Sequence, residues 1–314
     1  MSLEYSQAIE KVLRQLTPTA VEQALQITSD YVAGSGVLVL DETSLAWPAA
    51  SGPGTLLSNG LNVWYVQQVT DADTGTLSVI GGYQGSEDAD ITASTTNVSA
   101  QVVVSPKFTR WDISQALNDE LLALSAPTDD AGLGQIITAD VTYVPTFMGF
   151  SLPSTFDPAS SKVLEISYSE PLPARRQPLI RRDQYRVSRN QSASVFTNGC
   201  GVILYKRAWP GQPFRVQYLA PFQPFVDLDD DMLTVCGVPP SAQDIVCWGA
   251  ALRLAPDREI QRNTMGTQPD PRKSTDVPAN AIQNSTTGLN GRYLKRIKQE
   301  QKRLTLSFPQ AEGW

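Results

Sequence analysis

The sequence has no histidine among its 314 residues. Histidine is the commonest general acid or base near neutral pH and the commonest transition-metal ligand. Its absence excludes Ser-His-Asp and Cys-His nucleophilic catalysis, HExxH zinc sites and Cys2His2 fingers. Cysteine is scarce too: Cys200, Cys236 and Cys247 are odd in number and have no CxxC spacing. One disulfide plus a free thiol stays open, but three reduced, buried thiols in a chain made in the cytosol is the expectation. Charged residues are only 18 % of the chain, low for a surface that must carry many solvated charges. No apolar run reaches the ~18 residues that would span a bilayer. The opening MSLEYSQAIEKVL also lacks the basic-then-apolar order of a secretory leader. Neither GxxxxGK[ST] nor a GxGxxG after a strand is present. Gly199 and Gly201 around Cys200 read as a turn before a strand, and no histidine stands ready to activate that thiol. The composition points away from enzymes, and we assign no catalytic, cofactor-binding or metal-ligating residue.

Hydrophobic residues make up 41 %, enough for a packed core, and the length favours about two domains. The 25 basic and 32 acidic side chains leave a formal charge of −7. That favours solubility and argues against a whole-protein electrostatic grip on nucleic acid.

Periodicity predicts an α+β fold, mostly β. It combines two small antiparallel β-domains of barrel or sandwich type, the second jelly-roll-like, with a few helices including a C-terminal segment. Tyr5, Ile9, Val12 and Leu16, with Ala8 and Leu13, make one apolar helical stripe ended by Pro18. The stripe reads either as a cap on its own domain or as an arm on a neighbouring subunit. Residues 37–40, 63–66, 76–80 and 101–104 have strand length and β-branched or aromatic content, separated by Gly, Asn, Asp and Ser turns. Asp71, Asp73 and Gly75 resemble a fragment of a calcium loop. The distal bidentate glutamate is missing, so a plain hairpin turn is the expectation.

Thr109 with Asp112 is an N-cap and N3 pair opening a helix over 109–124. Its buried face is Ile113, Ala116, Leu117, Leu121 and Leu124, with Asp112, Asn118, Asp119 and Glu120 facing away. Strands follow at 136–144, 162–168, 184–189, 201–205 and 214–218. Ser241 and Asp244 open a helix with Ile245, Trp248, Ala251, Leu252 and Leu254 on its apolar face. Pro256 ends or kinks that helix, or residues 257–262 continue it. A polar loop or arm spans 263–278, and a last helix covers 290–307. The domain reading is 1–36 helix and arm, 37–108 small β-domain, 109–134 connecting helix, 135–240 β-sandwich and 241–314 helices with an extended arm.

Three charge features stand out. One is the cluster Arg175, Arg176, Arg181, Arg182, Arg186 and Arg189, and another is the run Asp227, Asp229, Asp230 and Asp231. Each is a solvated face by default, or the two oppose each other across a subunit boundary. The third is the terminal helix, which carries Arg292, Lys295, Arg296, Lys298, Lys302 and Arg303. It reads as a partner or subunit contact ahead of a DNA contact, because no aromatic platform accompanies it. The candidate contact residues are therefore Tyr5, Ile9, Arg175, Arg176, Arg181, Arg182, Asp229, Asp230, Asp231, Arg292, Lys295, Arg296, Lys302 and Arg303.

Three segments carry a family resemblance. The turn Gly82-Tyr83-Gln84-Gly85 is followed by the strand Val102-Val103-Val104, then Ser105-Pro106-Lys107-Phe108-Thr109-Arg110, then the helix Ile113-Ser114-Gln115-Ala116-Leu117-Asn118-Asp119-Glu120. This resembles a pattern of tailed-bacteriophage virion proteins: a "G-[WY]-x-G-[ST]" turn, a strand into "NPRF", and a helix of the type "I-x-x-A-[IL]-N-[DE]-E-[IL]". The chain departs from it at Ser105 and Lys107. DIVCWGAALRL (244–254) and RYLKRIKQEQKRLTLSFP (292–309) are similar to that family's later helix and its closing Tyr, Arg, Glu, Leu and Phe-Pro segment.

The resemblance implies a head-to-tail connector, an adaptor or neck component located at the head–tail junction of a virion assembled in the bacterial cytoplasm. It implies a non-enzymatic homo-oligomeric ring of about a dozen copies that joins portal to tail or neck proteins, with DNA as passing cargo and no membrane partner. The three helices would form the portal-docking core. Two alternatives remain open. One is a tail-tip or collar-decoration protein that attaches fibres or binds the host surface. The other is a jelly-roll carbohydrate-binding or carbohydrate-active protein, with Trp47, Trp64 and Trp209 as candidate sugar platforms, although core packing is the expectation for each.

Overall fold

A computed structural model describes residues 3–16, 24–41, 55–71, 74–93, 101–104, 108–125, 133–169, 179–192, 194–265 and 281–309. The architecture is α+β, with antiparallel sheets and helices that include a C-terminal one. The chain divides into two compact units, both discontinuous in sequence. One comprises Met1–Gln7, Asn118–Leu252 and Gln268–Trp314; the other comprises Ala8–Leu117 and Arg253–Thr267.

The second of these holds a six-stranded sheet made of β1 (Ala24–Gln26), β2 (Val37–Val39), β3 (Leu56–Asn59), β4 (Asn62–Asp71), β5 (Thr76–Ile80) and β6 (Gln101–Val104), in the order β1-β6-β3-β4-β5-β2. The sheet curls toward a barrel. Just past its two edge strands, the Thr28 amide donates to the Val39 carbonyl at 3.0 Å and the Asp41 amide to the Gln26 carbonyl at 2.8 Å. Such bonds occupy backbone groups that an open sheet would leave unpaired. Gly60 and Leu61 form a two-residue hairpin loop between β3 and β4, with Gly60 at φ 57°. Asp71 and Thr76 pair across the β4–β5 hairpin, as the turn reading of that stretch expects, while Asp73 lies outside the described residues. The core gathers Leu25, Leu38, Leu57, Trp64, Val66 and Leu77, with the Tyr31 ring edge-on to Trp64 at 5.2 Å. Helix α1 (Tyr5–Leu16) buries Tyr5, Ala8, Ile9, Val12 and Leu16, the stripe its spacing foretold.

Helix α2 (Arg110–Ser125) begins at the expected cap. The Asp112 amide donates to Thr109 Oγ1 (3.0 Å), and the Thr109 amide and hydroxyl donate back to the Asp112 carboxylate at 3.1 and 2.7 Å. Six strands between Gln135 and Ala220 form two three-stranded antiparallel sheets. One is ordered β7 (Gln135–Thr142), β12 (Pro213–Ala220), β9 (Lys162–Tyr168); the other is β10 (Tyr185–Ser188), β11 (Gly201–Leu204), β8 (Gly149–Ser151). They share one core, in which Phe150, Val202 and Leu204 meet Val163, Ile166, Phe214, Val216 and Tyr218. Helix α3 (Gln243–Met265) runs on past Pro256, and α4 (Ala281–Ser307) starts nine residues before the expected 290. Pro269, Pro271 and Pro278 lie outside the described residues.

Candidate functional site

The resemblance-bearing segments of α2, α3 and α4 supply one buried polar junction within a single unit. Glu120 sits on α2 at 3 % exposure and accepts the Tyr293 hydroxyl from α4 at 2.5 Å. This corrects the sequence expectation, which turned Glu120 toward solvent. A carboxylate is tolerated so deep only with partners. Gly249 on α3 shows how tightly it is enclosed, since a Cβ there would stand well under 3.0 Å from the Glu120 carboxyl group, closer than real Cβ atoms come. Glycine in a helix interior costs about 1 kcal/mol relative to alanine, and the close approach of Glu120 is its reason here. Asn118 also turns inward. Its Nδ2 donates to the Phe225 carbonyl at 3.2 Å and its Oδ1 accepts the Phe225 amide at 2.9 Å.

The inner face of α4 continues the junction. Arg296 Nε donates to Asp244 at 3.0 Å, and its Nη2 donates to the Ser241 carbonyl at 2.6 Å. Glu300, 4 % exposed, accepts Arg303 Nε at 2.7 Å and the Ser241 hydroxyl at 3.3 Å. Leu304 is buried beyond it. A cavity of about 280 Å3 lies alongside, lined by Leu133, Phe222, Leu233 and Leu304 with Glu300 and Arg303 as its charged groups. Those two groups bond each other, so the wall offers a neutralised ion pair. Among the described residues no cluster of three or more Cys, Asp or Glu side chains is placed to hold a metal ion.

The remaining predicted residues scatter. Tyr5 is buried, stacked on Phe225 at 4.1 Å, and Ile9 is buried as well. Arg175 and Arg176 lie outside the described residues. Arg181 precedes a 3-10 turn, the Arg182 guanidinium lies over the Tyr185 ring at 4.9 Å, and Arg186 is exposed. Arg189 donates to the carbonyls of Pro158 and Ser161. In the acidic run, Asp230 accepts the Val226 and Asp227 amides, Asp231 accepts those of Leu233 and Thr234, and Asp229 is exposed. Arg296 and Arg303 work inward, whereas Arg292, Lys295, Lys298 and Lys302 are exposed on α4 with Leu294.

All three cysteines are buried and stand outside any disulfide. Burial, and then the charges of Asp230 and Asp231, push the Cys236 thiol up to about 12. Of the candidate platforms, Trp64 is core, Trp47 lies outside the described residues, and Trp209 is 80 % exposed. For Trp209 this overturns the core expectation.

The Gly82-Tyr83-Gln84-Gly85 turn serves its own unit. Gly82, Gln84 and Gly85 all adopt positive φ, and Tyr83 stacks on Tyr65 at 5.2 Å. The loop that follows is tied down by carboxylates. Asp88 accepts the Tyr31 hydroxyl (2.6 Å) and the Gly34 amide (2.9 Å), and Asp90 accepts the Ala33 amide (2.8 Å). No known protein family and no curated protein matches this chain.

Proposed function

We propose that the chain is a non-enzymatic structural subunit of a tailed-bacteriophage virion, a ring-forming adaptor or collar protein joining portal to tail. The observation that carries this reading is the convergence at Glu120. Glu120, Asp244, Gly249, Tyr293 and Arg296 come from the separate stretches that resemble virion connector proteins, and they pair across those stretches: Glu120 with Tyr293 and against Gly249, and Asp244 with Arg296. The junction fixes α4 by one face and leaves Leu294, Lys295, Lys298 and Lys302 outward as a basic, partly apolar face for a neighbouring protein.

The test is charge reversal of that outer face, Lys295→Glu, Lys298→Glu and Lys302→Glu together, introduced into the phage. Heads and tails accumulating separately is the expected result. Normally joined particles that fail only in adsorption would move the assignment to a tail-tip or fibre-attaching role. The exposure of Trp209 favours a second reading, a carbohydrate-binding β-sandwich, for which sugar-dependent quenching of its fluorescence is the signature.

A further inference from the structure

We propose that copies of this chain associate head to tail, with the β11–β12 loop (residues 205–212, joining the two sheets) of one copy seated on the acidic loop (residues 226–235) of the next. The partner is thus a second copy, and the closing of such contacts into a ring rests on the connector reading above.

The tip of the β11–β12 loop is built to present its side chains. Between Leu204 and Pro213 the turn Trp209-Pro210-Gly211-Gln212 has proline and then glycine at its centre, with Gly211 at φ 76°. The Gln212 amide donates to the Trp209 carbonyl (3.0 Å) and the Trp209 amide to Gln212 Oε1 (3.2 Å). The tip is also tied to the end of β7, because the Gly211 amide donates to the Tyr143 carbonyl and the Tyr143 amide to the Gln212 carbonyl, at 3.1 and 2.9 Å. On this fixed support Trp209 is 80 % and Tyr205 61 % exposed, with Lys206 and Arg207 exposed between them. Trp, Tyr and Arg are the residue types that dominate binding energy at protein interfaces, and a rigid turn lowers the entropy cost of using them.

The complementary surface lies at the other end of the same sheet. Strand β12 runs eight residues from Pro213 to Ala220, a span of roughly 25 Å. Ala220 pairs with Gln135, and Gln135, Phe222 and Leu233 line one cavity, which places residues 226–235 beside that far end. There Val226 is 70 % exposed, with Leu233 and Val235 also exposed, among Asp227, Asp229, Asp230 and Asp231. This loop is fixed too. Asp230 and Asp231 hold its amides, and the Met232 amide donates to the Leu3 carbonyl at 2.9 Å.

One end of the sandwich therefore offers aromatic rings with two cations, and the other offers aliphatic side chains with a run of carboxylates. A contact that set either patch against itself would oppose like charges, so association pairs tip with acidic loop. The two patches lie at opposite ends of the sandwich, and a contact repeated from end to end in this way is the kind that closes into rings.

The experiment measures self-association of the full chain by sedimentation velocity and mass photometry, with circular dichroism to verify the fold of each variant. Lys206→Glu with Arg207→Glu should weaken association about 100-fold or more, as should Asp227→Lys with Asp229→Lys. The four changes combined should restore it to within about tenfold of the parent. Trp209→Ala should weaken it about 30-fold, and added salt should weaken the parent. A chain that stays monomeric at every concentration overturns the contact. So does association indifferent to either reversal, or a fourfold variant no better than the double ones. Quenching of Trp209 by soluble glycans in a monomeric chain would assign the tip to sugar instead. None of these results bears on head–tail joining in the particle, so the two readings fail separately.

Discussion

Trp64 and Trp209 stand in the two β-regions of the chain, and their surroundings differ at every level. Trp64 is wholly buried in the curled six-stranded sheet, among Leu57, Leu77 and Val66, with Tyr31 against it. In the same unit the Asp88 and Asp90 carboxylates bind residues 31–34. Trp209 projects from the loop that joins the two sheets of the sandwich and is mostly in water. The same residue type thus builds a core in one region and a surface in the other. Surface area that folding does not bury is where partners are to be sought.

The largest effect should come from breaking this comparison directly. Trp64→Ala is expected to destabilise the protein by about 4 kcal/mol, whereas Trp209→Ala should stay within about 0.5 kcal/mol of the parent. Thermal and urea unfolding of the purified variants check both. Comparable losses would remove the distinction between the two regions.

Gly249→Ala comes next, with an expected loss of about 2 kcal/mol, because the new methyl displaces the Glu120 carboxylate from Tyr293 and that outweighs the gain in helix propensity. The same change in a Glu120→Ala background should be neutral or stabilising, so a double-mutant cycle measures the coupling. Additive effects would mean that Gly249 has another cause.

Asp88→Ala should cost about 1–2 kcal/mol through the Tyr31 hydroxyl and Gly34 amide that it leaves without their acceptor. It carries a pH signature as well. Burial first, and then the hydrogen bond to Asp88, raise the Tyr31 hydroxyl from 10.0 to about 12. A group raised on folding stabilises fully below its unfolded value, so this contribution is intact below pH 10 and is lost as pH rises toward about 12. Without Asp88 the folded value falls back toward 10.0, and stability should then depend less steeply on pH across that window. Spectrophotometric tyrosine titration alongside alkaline unfolding reads both quantities.

The extended elements were legible where side-chain patterning was long enough to register. Strands β5, β6 and β9 fall on their expected residues, as do the α1 stripe and the Thr109–Asp112 cap. The strands with no counterpart in the sequence reading have short or weak signals. β1 and β8 are three residues each, and Leu56-Leu57-Ser58-Asn59 in β3 has no β-branched residue. The first turns of α4 contain Ser285, Thr286, Thr287 and Gly288, poor helix formers by themselves, so local propensity hides that start.

Glu120 was misread for a different reason. An acidic residue on a helix reads as solvent-facing until its partner is known, and Tyr293 is 173 positions away. Gly249 in a helix interior was the one local sign of a close approach. The exposure of Trp209 had no periodic signal, since a loop between two sheets belongs to neither face of either.

The connector reading meets its most direct test in the virion itself. A gold-labelled tag placed after Trp314, viewed by electron microscopy on purified particles, should mark the junction between head and tail. Label at the distal tail, or particles whose proteome lacks the chain, would contradict it.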